Sequence, residues 1–210
     1  MNNIFEGVLH FQKNIFPKHQ ALFDQLATKQ NPEVLFITCS DSRIDPNLVT
    51  QSQPGDLFIC RNAGNIIPPH NQSTGGMTAS IEYAVAVLGV RDIVVCGHTD
   101  CGAMKGVMDL ENLKGLPHVK EWLGHCRSAV EVLKAQGHEL EPAQLNRLTE
   151  ENVLQQLQHL KTHPVVASKL ASGEVRLHAW MYDIETGGVC CSNGEDRTFE
   201  PMATHYQPDD

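Results

Sequence analysis

Apolar residues in the first part of the chain recur every three or four positions, which is the spacing of an amphipathic helix. Pro17 interrupts this pattern, and a proline inside a helical pattern ends or kinks the helix. We therefore expect a helical arm over residues 1–30 that is divided at this proline. The apolar positions that define the arm are Ile4, Val8, Phe11, Ile15, Ala21, Leu22 and Leu26.

Short runs rich in β-branched residues follow at residues 33–38, 57–60 and 93–98. Their length and their nearly continuous apolar character are typical of strands buried on both faces of a parallel sheet. Helical spacing returns between and after these runs. The apolar faces of the predicted helices are Ile81, Ala84, Val85 and Leu88; Val119, Trp122, Leu123, Cys126, Val130 and Leu133; and Val153, Leu154, Leu157 and Leu160.

A different pattern closes the chain. Residues 175–184 and 189–191 predict a strand and an edge strand, joined by a tight turn at Gly187 and Gly188. Strands that alternate with helices predict a parallel sheet. The fold is therefore expected to be α/β, with a mostly parallel central sheet, helices on both faces, an antiparallel edge strand and an N-terminal helical arm.

The domain organisation predicted from this pattern is simple. A chain of 210 residues has the size at which a single α/β domain is the simplest interpretation. The sequence shows no internal repeat, low-complexity tract or linker that would divide it. We expect one domain over residues 1–210, which includes the arm at 1–30, a loop at 73–76 and a loose tail at 204–210.

Two polar clusters come at the ends of two of the predicted strands. Cys39, Asp41 and Arg43 follow the first strand, His98 ends the third strand, and Cys101 comes three residues later. Because open α/β sheets bind their ligands at the carboxyl ends of strands, we expect these side chains to converge. Two thiolates and one imidazole suit Zn²⁺, and three protein ligands leave the open position that a catalytic zinc needs. The sequence therefore predicts one zinc ion per chain.

Asp41 has two possible roles at such a site. Its carboxylate can accept a hydrogen bond from water on the zinc while Arg43 holds it by a bidentate pair. Alternatively, it can bind the zinc as a fourth ligand, which would make the site inert. Zinc held by two thiolates and an imidazole carries no formal net charge and acidifies water less than zinc held by three imidazoles, so catalysis needs a nearby acceptor. The spacing allows both arrangements.

In their order and spacing, these residues resemble the β-class carbonic anhydrases, close to the plant and cyanobacterial branch of that class. The pattern C-x-D-x-R at residues 39–43 and the pattern H-x-x-C at residues 98–101 carry the resemblance. Further similar segments extend it from about Gln30 to Gly106. They lie at residues 54–58, 61–65, 80–83 and 101–104.

This resemblance implies an enzyme, a zinc lyase that hydrates carbon dioxide reversibly to bicarbonate and a proton. It implies that Cys39, His98 and Cys101 bind the metal, and that Asp41 either joins them in a closed state or pairs with Arg43 in an open state. In the open state the pair orients a zinc-bound hydroxide. The sequence alone leaves both states possible.

The resemblance also implies a substrate pocket. Phe58, Ala63 and Tyr83 would line it, and Gln30 and the backbone N–H of Gly102 would donate to the substrate oxygen. A small nonpolar substrate requires this combination of apolar wall and few donors.

Members of the class with the closed state are linked to a noncatalytic bicarbonate pocket, which includes a tryptophan three residues before the first zinc cysteine. Phe36 stands at that place in this sequence, although Arg61 and Tyr182 occupy positions similar to the rest of the pocket. We therefore expect no such pocket here and favour the open state.

Charge and cysteine content restrict the possible partners. The chain has 25 acidic and 16 basic residues, a formal net charge of −9, and its basic residues are scattered, which argues against nucleic acid and anionic membranes as partners. It lacks a signal-peptide pattern and an apolar stretch near the roughly 18 residues that span a membrane, so we expect a cytoplasmic protein. Cys60, Cys96 and Cys126 are expected to be buried hydrophobic residues, and Cys190 and Cys191 to face opposite sides of a strand.

Other functions and partners follow from the same residues. A noncatalytic zinc or bicarbonate-sensing protein and a hydrolase of carbon disulfide or carbonyl sulfide are the alternatives, whereas a thiol-dependent enzyme is disfavoured because the ligands converge without a spare base. His70, in the loop after the second strand, is a candidate for carrying protons. The apolar face of the arm and the resemblance both predict a homodimer or homotetramer in which the arm packs on a second subunit.

Overall fold

The computed structural model describes residues 2–71, 75–192 and 197–205. They belong to two compact units, Met1–Asn31 and Pro32–Asp210, and the expected single domain stays a prediction. Residues 73 and 74 of the predicted loop and residues 206–210 of the predicted tail lie outside the described residues. Where the chain is described, Gly76 already begins a helix, and Thr204 and His205 end a short helix rather than forming a loose tail.

The first unit is helical, as predicted. Helix α1 spans Asn2–His10, a π-helical segment spans Phe11–Ile15, a 3₁₀ turn that contains Pro17 spans Phe16–His19, and α2 spans Gln20–Leu26. The two helices are thus separated around the proline that interrupts the apolar pattern. Three phenylalanine rings pack together in this unit with centroid distances of 5.0 to 6.4 Å, namely Phe11, Phe16 and Phe23.

The second unit is built on a six-stranded sheet with the strand order β2-β1-β3-β4-β5-β6. The first four strands are parallel to their neighbours and the last two pair in antiparallel orientation, which confirms the predicted sheet. The strands are β1 at Val34–Cys39, β2 at Leu57–Asn62, β3 at Asp92–His98, β4 at Arg176–Tyr182, β5 at Val189–Ser192 and β6 at Glu200–Pro201.

The strand order places a topological switch point between β1 and β3. From β1 the chain passes to β2 on one side, and then returns to β3 on the other side. The carboxyl ends of β1 and β3 are neighbours, because Thr38 pairs with Cys96 in the parallel register. A crevice outside such neighbouring strand ends is where open α/β sheets bind ligands.

Nine helices cover the rest of the described part of the second unit or follow its strands, together with short 3₁₀ turns. The segment predicted as one helix over 119–133 is instead two helices separated by a 3₁₀ turn that begins at Gly124, a residue of low helix propensity. Eight of these elements are α3 at Pro46–Thr50, α4 at Gly76–Glu82, α5 at Gly102–Met108, α6 at Pro117–Leu123, α7 at Arg127–Ala135, α8 at Leu145–Thr162, α9 at Pro164–Ala171 and α10 at Met202–His205, and the ninth is a π-helical segment at Tyr83–Val87 that continues α4.

The main core lies between one face of the sheet and the helices α4, α8 and α9. Leu35 and Ile93 from the strands are fully buried there against Ile81 and Val153 from the helices. The opposite face buries a smaller cluster around Phe36. As predicted, Cys60, Cys96 and Cys126 are buried.

Within the described residues, none of the helices is both long and apolar enough to cross a membrane. The cytoplasmic location stays a prediction.

Gly97 in β3 allows α8 to pack closely on the strand that carries His98. A Cβ atom at this position would lie 2.7 Å from Val153 Cγ2 and 3.0 Å from Thr149 Cγ2. We expect Gly97→Ala to lower the free energy of unfolding by about 1 to 3 kcal/mol, because overpacking forces neighbouring groups apart. Urea unfolding at fixed protein concentration measures the change.

Gly124→Ala is the matched control, since a Cβ atom there would meet nothing within 4 Å. Equal unfolding midpoints for the two variants would contradict the close packing at Gly97.

Candidate metal centre

Three potential metal ligands meet at the carboxyl ends of β1 and β3. Cys39 is the last residue of β1, His98 is the last residue of β3, and Cys101 precedes α5. Their ligand atoms all lie within 4.8 Å of one another, and all three residues are buried. In the described ranges this is the one cluster of its kind. The predicted convergence of the two polar clusters is thus present for these side chains.

His98 has the orientation that a metal requires. Its Nδ1 atom lies 2.8 Å from the carbonyl oxygen of Thr99 and donates to it, because a carbonyl only accepts. Its Nε2 atom is buried and has no hydrogen-bond partner. A buried polar atom without a partner is costly, and a metal ion at Nε2 would remove that cost. The donor set of two sulfurs and one nitrogen therefore fits zinc.

The three ligand groups of the cluster shift one another's pKa values. The neighbouring Cys101 thiol holds the pKa of Cys39 well below its usual range, and Cys39 in turn raises the pKa of Cys101. Burial alone would lower the pKa of His98, but the nearby Cys39 sulfur and the Thr99 carbonyl outweigh burial and raise that pKa. A metal that binds here must displace protons, so we expect affinity to fall in acid.

A backbone N–H and an arginine side chain hold Cys39 from two sides. The N–H of Gly64 donates to Cys39 Sγ at 3.4 Å, and Arg61 Nε donates to the Cys39 carbonyl oxygen at 3.0 Å. Gly64 has φ of +82°, and a Cβ atom on it would lie 3.0 Å from both Ala103 Cβ and Met104 Cε. Only glycine meets both conditions without strain.

Asp41 and Arg43 form a multiple contact at the edge of the cluster. Arg43 donates from Nε to Asp41 Oδ1 at 2.9 Å, from Nη2 to Asp41 Oδ2 at 2.8 Å, and from its backbone N–H to Oδ1 at 3.0 Å. These bonds hold the pKa of the Asp41 carboxyl far below its usual range. Asp41 Oδ2 lies 3.8 Å from His98 Nε2, so the carboxylate is a neighbour of the ligand group.

Asp100 is a residue at this site that the sequence interpretation missed. Arg43 Nη1 donates to Asp100 Oδ2 at 2.9 Å, and Nη2 donates to the Asp100 carbonyl oxygen at 3.1 Å. The opposite side of the same carboxylate pairs with Lys105. Asp100 has φ of +57°, a conformation that aspartate adopts more readily than most residues. The only signal in the sequence was an acidic residue directly before Cys101.

The predicted substrate residues occupy different places. Ala63 precedes Gly64, whose N–H donates to Cys39 Sγ, and Gly102 follows Cys101. Both are therefore next in the chain to residues of the metal centre. The rings of Phe58 and Tyr83 pack on each other with centroids 6.0 Å apart. Gln30 lies in the first unit. The substrate-binding roles of all five stay predictions.

Two residues at positions of the noncatalytic bicarbonate pocket, Arg61 and Phe36, make contacts within the protein. The Arg61 guanidinium also donates to the carbonyl oxygens of Asp41 and Ile44, at 2.7 and 2.9 Å. Phe36 packs edge to face on Trp180 with ring centroids 5.8 Å apart. The expected absence of that pocket stays a prediction. His70 is exposed, and its role in proton transfer also stays a prediction.

Comparisons with known proteins agree with this geometry. A family model described as carbonic anhydrase matches residues 34–189. The carbonic anhydrase of Pseudomonas aeruginosa is 49% identical over 205 residues, which are 98% of this chain and 93% of the relative.

Two solved structures extend the likeness to three dimensions. The β-carbonic anhydrase CcaA superposes with a TM-score of 0.91 at 44% identity, covering 96% of this chain and 98% of that chain. A chain from two tetrameric β-carbonic anhydrases of the ascomycete Sordaria macrospora gives a TM-score of 0.74 at 31% identity, covering 91% of this chain and 93% of that chain.

A mostly parallel α/β sheet with two thiols and an imidazole at its switch point is an arrangement suited to a metal-dependent enzyme. The chain belongs to the carbonic anhydrase family, in the β class. The resemblance seen in the sequence is thus confirmed. Enzymes of this family are zinc-dependent and hydrate carbon dioxide.

Cys101→Ser is expected to remove the metal and the activity, because a hydroxyl keeps the approximate size of the side chain but is not the soft thiolate ligand that suits zinc. Zinc content per chain and carbon dioxide hydration measure the two effects. Cys60→Ser is the control, since Cys60 is buried in the main core and should lose stability but retain zinc. A full equivalent of zinc in purified Cys101→Ser would contradict the ligand assignment.

Proposed function

We propose that the chain hydrates carbon dioxide reversibly with one zinc ion held by Cys39, His98 and Cys101, and with Asp41 and Arg43 as the pair that orients the attacking water. The observation that carries this proposal is the position of Asp41. Its carboxylate lies beside His98 Nε2 while Arg43 binds both of its oxygens.

Zinc, when bound, supplies Lewis-acid chemistry that lowers the pKa of water at its open position. The two thiolates reduce the net charge at that position. Groups of the protein must therefore contribute to preparing the nucleophile.

Asp41 is suited to this contribution because it is ionised. The hydrogen bonds from Arg43 hold the pKa of Asp41 well below its usual range, so the carboxylate is charged at neutral pH, and in that form it only accepts. We infer that Asp41 accepts a hydrogen bond from the attacking water and so directs the remaining lone pair of the water at the carbon of the substrate. This orientation acts before any bond is made.

Arg43 keeps Asp41 in that orientation and away from the ligand group. Its guanidinium is held in turn on its other side by Asp100, so it is fixed at both ends. If Arg43 were absent, the same carboxylate would be free to bind the metal as a fourth ligand. The open state is the active one in this proposal, and the closed state is inert.

The substrate pocket completes the proposal. Phe58, Ala63 and Tyr83 would form its apolar wall, and Gln30 and the Gly102 N–H would donate to the developing bicarbonate. Gly102 is exposed and directly follows Cys101, which supports its role as a donor. Hydrolysis of carbon disulfide or carbonyl sulfide and a noncatalytic sensing role are the alternatives, and neither gives the contacts of Asp41 a better explanation.

Arg43→Ala tests the Asp41–Arg43 pair. We expect the variant to keep a full equivalent of zinc and to lose about 10- to 100-fold in hydration rate, which is the usual effect of removing a partner of this kind. Stopped-flow hydration with a pH indicator, from about pH 6.5 to 9, covers the range in which metal-activated water titrates. Wild-type activity should rise with pH over this range.

Arg91→Ala is the control, since Arg91 is an exposed arginine at the opposite end of β3 from His98. A zinc-replete Arg43→Ala enzyme with wild-type turnover at every pH would overturn the proposed role of the pair. An equally inactive Arg91→Ala enzyme would show that the loss is not specific to Arg43.

We also propose that the chain forms a homodimer or homotetramer in which the arm packs on a second subunit. The description of the Sordaria macrospora relatives as tetrameric supports assembly. The arm itself supports the use of this surface, because its apolar side chains remain exposed, with Ile4 at 70% and Phe5 at 62%. Large apolar surfaces of this kind mark sites of association.

Phe5→Asp is expected to shift the protein to a smaller species in sedimentation experiments, because a charge would then have to be buried in the interface. Asn3→Asp introduces the same change of charge two positions earlier in α1 and should leave the assembly intact. Identical sedimentation of Phe5→Asp and the wild type at micromolar concentration would contradict packing by the arm.

A further inference from the structure

Helix α8 carries a buried polar stripe where an apolar face would be expected. Asn152 and Gln156 are fully buried, His159 is nearly so, and His163 continues the stripe directly after the helix. The spacing of four, three and four residues places all four side chains on one side. Buried polar side chains need partners, so this face must meet other polar groups.

The partners are backbone groups of a single loop, which runs from the end of β2 towards α4. The polar side chains of the stripe bond to this loop at successive positions, and they also bond to each other. The bonds run from Asn152 Nδ2 to Gly64 O (3.0 Å), from Ile67 N to Gln156 Oε1 (2.7 Å), from His159 Nδ1 to Ile67 O (2.6 Å), from His163 Nε2 to Pro68 O (3.0 Å) and from Gln156 Nε2 to Asn152 Oδ1 (2.8 Å).

The first position of this loop connects the stripe to the metal centre. Gly64 donates its N–H to Cys39 Sγ, and its carbonyl oxygen accepts from Asn152 Nδ2. Gly64 also lies close to Ala103 and Met104 of α5, because a Cβ atom on it would be 3.0 Å from a side-chain atom of each. Its two peptide groups are therefore fixed between α5, Asn152 and the Cys39 sulfur.

We propose that Asn152 is a positioning residue for the metal centre, which acts through Gly64 by holding its N–H on the Cys39 sulfur. The inference rests on the proposed metal site and adds a residue of α8 to it. A hydrogen bond to a thiolate takes up part of the negative charge on sulfur, so it reduces the charge that Cys39 donates to a metal. In a site with two thiolates, this effect helps to keep the pKa of water at the open metal position low.

Cobalt substitution distinguishes positioning from a purely structural role. The thiolate-to-cobalt charge-transfer band reports the electron density on sulfur. Asn152→Leu removes the donor to Gly64 at similar side-chain size. If the Gly64 N–H then moves away from Cys39, the band should shift to lower energy, and the zinc enzyme should lose about tenfold in kcat/KM.

Thr149→Val is the matched control. Thr149 is fully buried in the same helix, and its hydroxyl donates to the Leu145 carbonyl at 2.9 Å, without reaching the loop. Asn152→Leu loses two buried hydrogen bonds, one to Gly64 and one from Gln156, and Thr149→Val loses one, so both variants should unfold at lower urea concentration. Only Asn152→Leu should shift the band. Asn152→Ala removes the same donor with less steric demand, and serves if Asn152→Leu does not fold.

Two outcomes are separable in this experiment. If the wild-type protein binds cobalt without a thiolate band, the proposed ligand set itself is wrong. If the wild type shows the band and a folded Asn152 variant has the same band and the same kcat/KM, the ligand set stands and the positioning role of Asn152 is overturned.

Discussion

The parallel pairing of β1 with β3 is the constraint on which the metal centre depends. Cys39 and His98 are the last residues of these strands, and their distance is set by the register that pairs Thr38 with Cys96. A slip of one residue would turn every side chain of a strand to the other face of the sheet. The apolar contacts of Leu35 and Ile93 in the main core prevent such a slip, so the same packing that stabilises the fold aligns the ligands.

Much of this arrangement could be predicted from the sequence because it depends on local patterns. Runs of β-branched residues located the parallel strands, and the position of Cys39 and His98 at the ends of two runs predicted their convergence. Local polarity also misled the prediction: β2 extends to Asn62 because Arg61 and Asn62 pair with β1 in spite of their polar side chains. The short strand β6 has no apolar run at all, and pairs with β5 only through tertiary contact.

The residues that support the ligands were harder to predict, since their partners are distant in the chain. Asn152 bonds to a carbonyl 88 positions away, and Arg43 bonds to Asp100 across 57 positions. In sequence, Asn152 looks like a polar residue on the exposed side of a helix. Its function is visible only when the loop after β2 is packed against that side. The spacing of residues in the sequence therefore identifies the metal ligands, whereas the folded structure is needed to identify the residues that support them.

Three residues with positive φ lie near the metal centre. Gly64, Asn65 and Asp100 all have positive φ, at 82°, 48° and 57°, and each lies in a segment that adjoins a metal ligand in space or in sequence. Such conformations persist only where surrounding structure determines them, and they gather at functional sites. Here Asn152 fixes the first segment and Arg43 the second. Thus β1 and β3 set the distance between the metal ligands. The segments with positive φ set the direction of the hydrogen-bonding groups around these ligands.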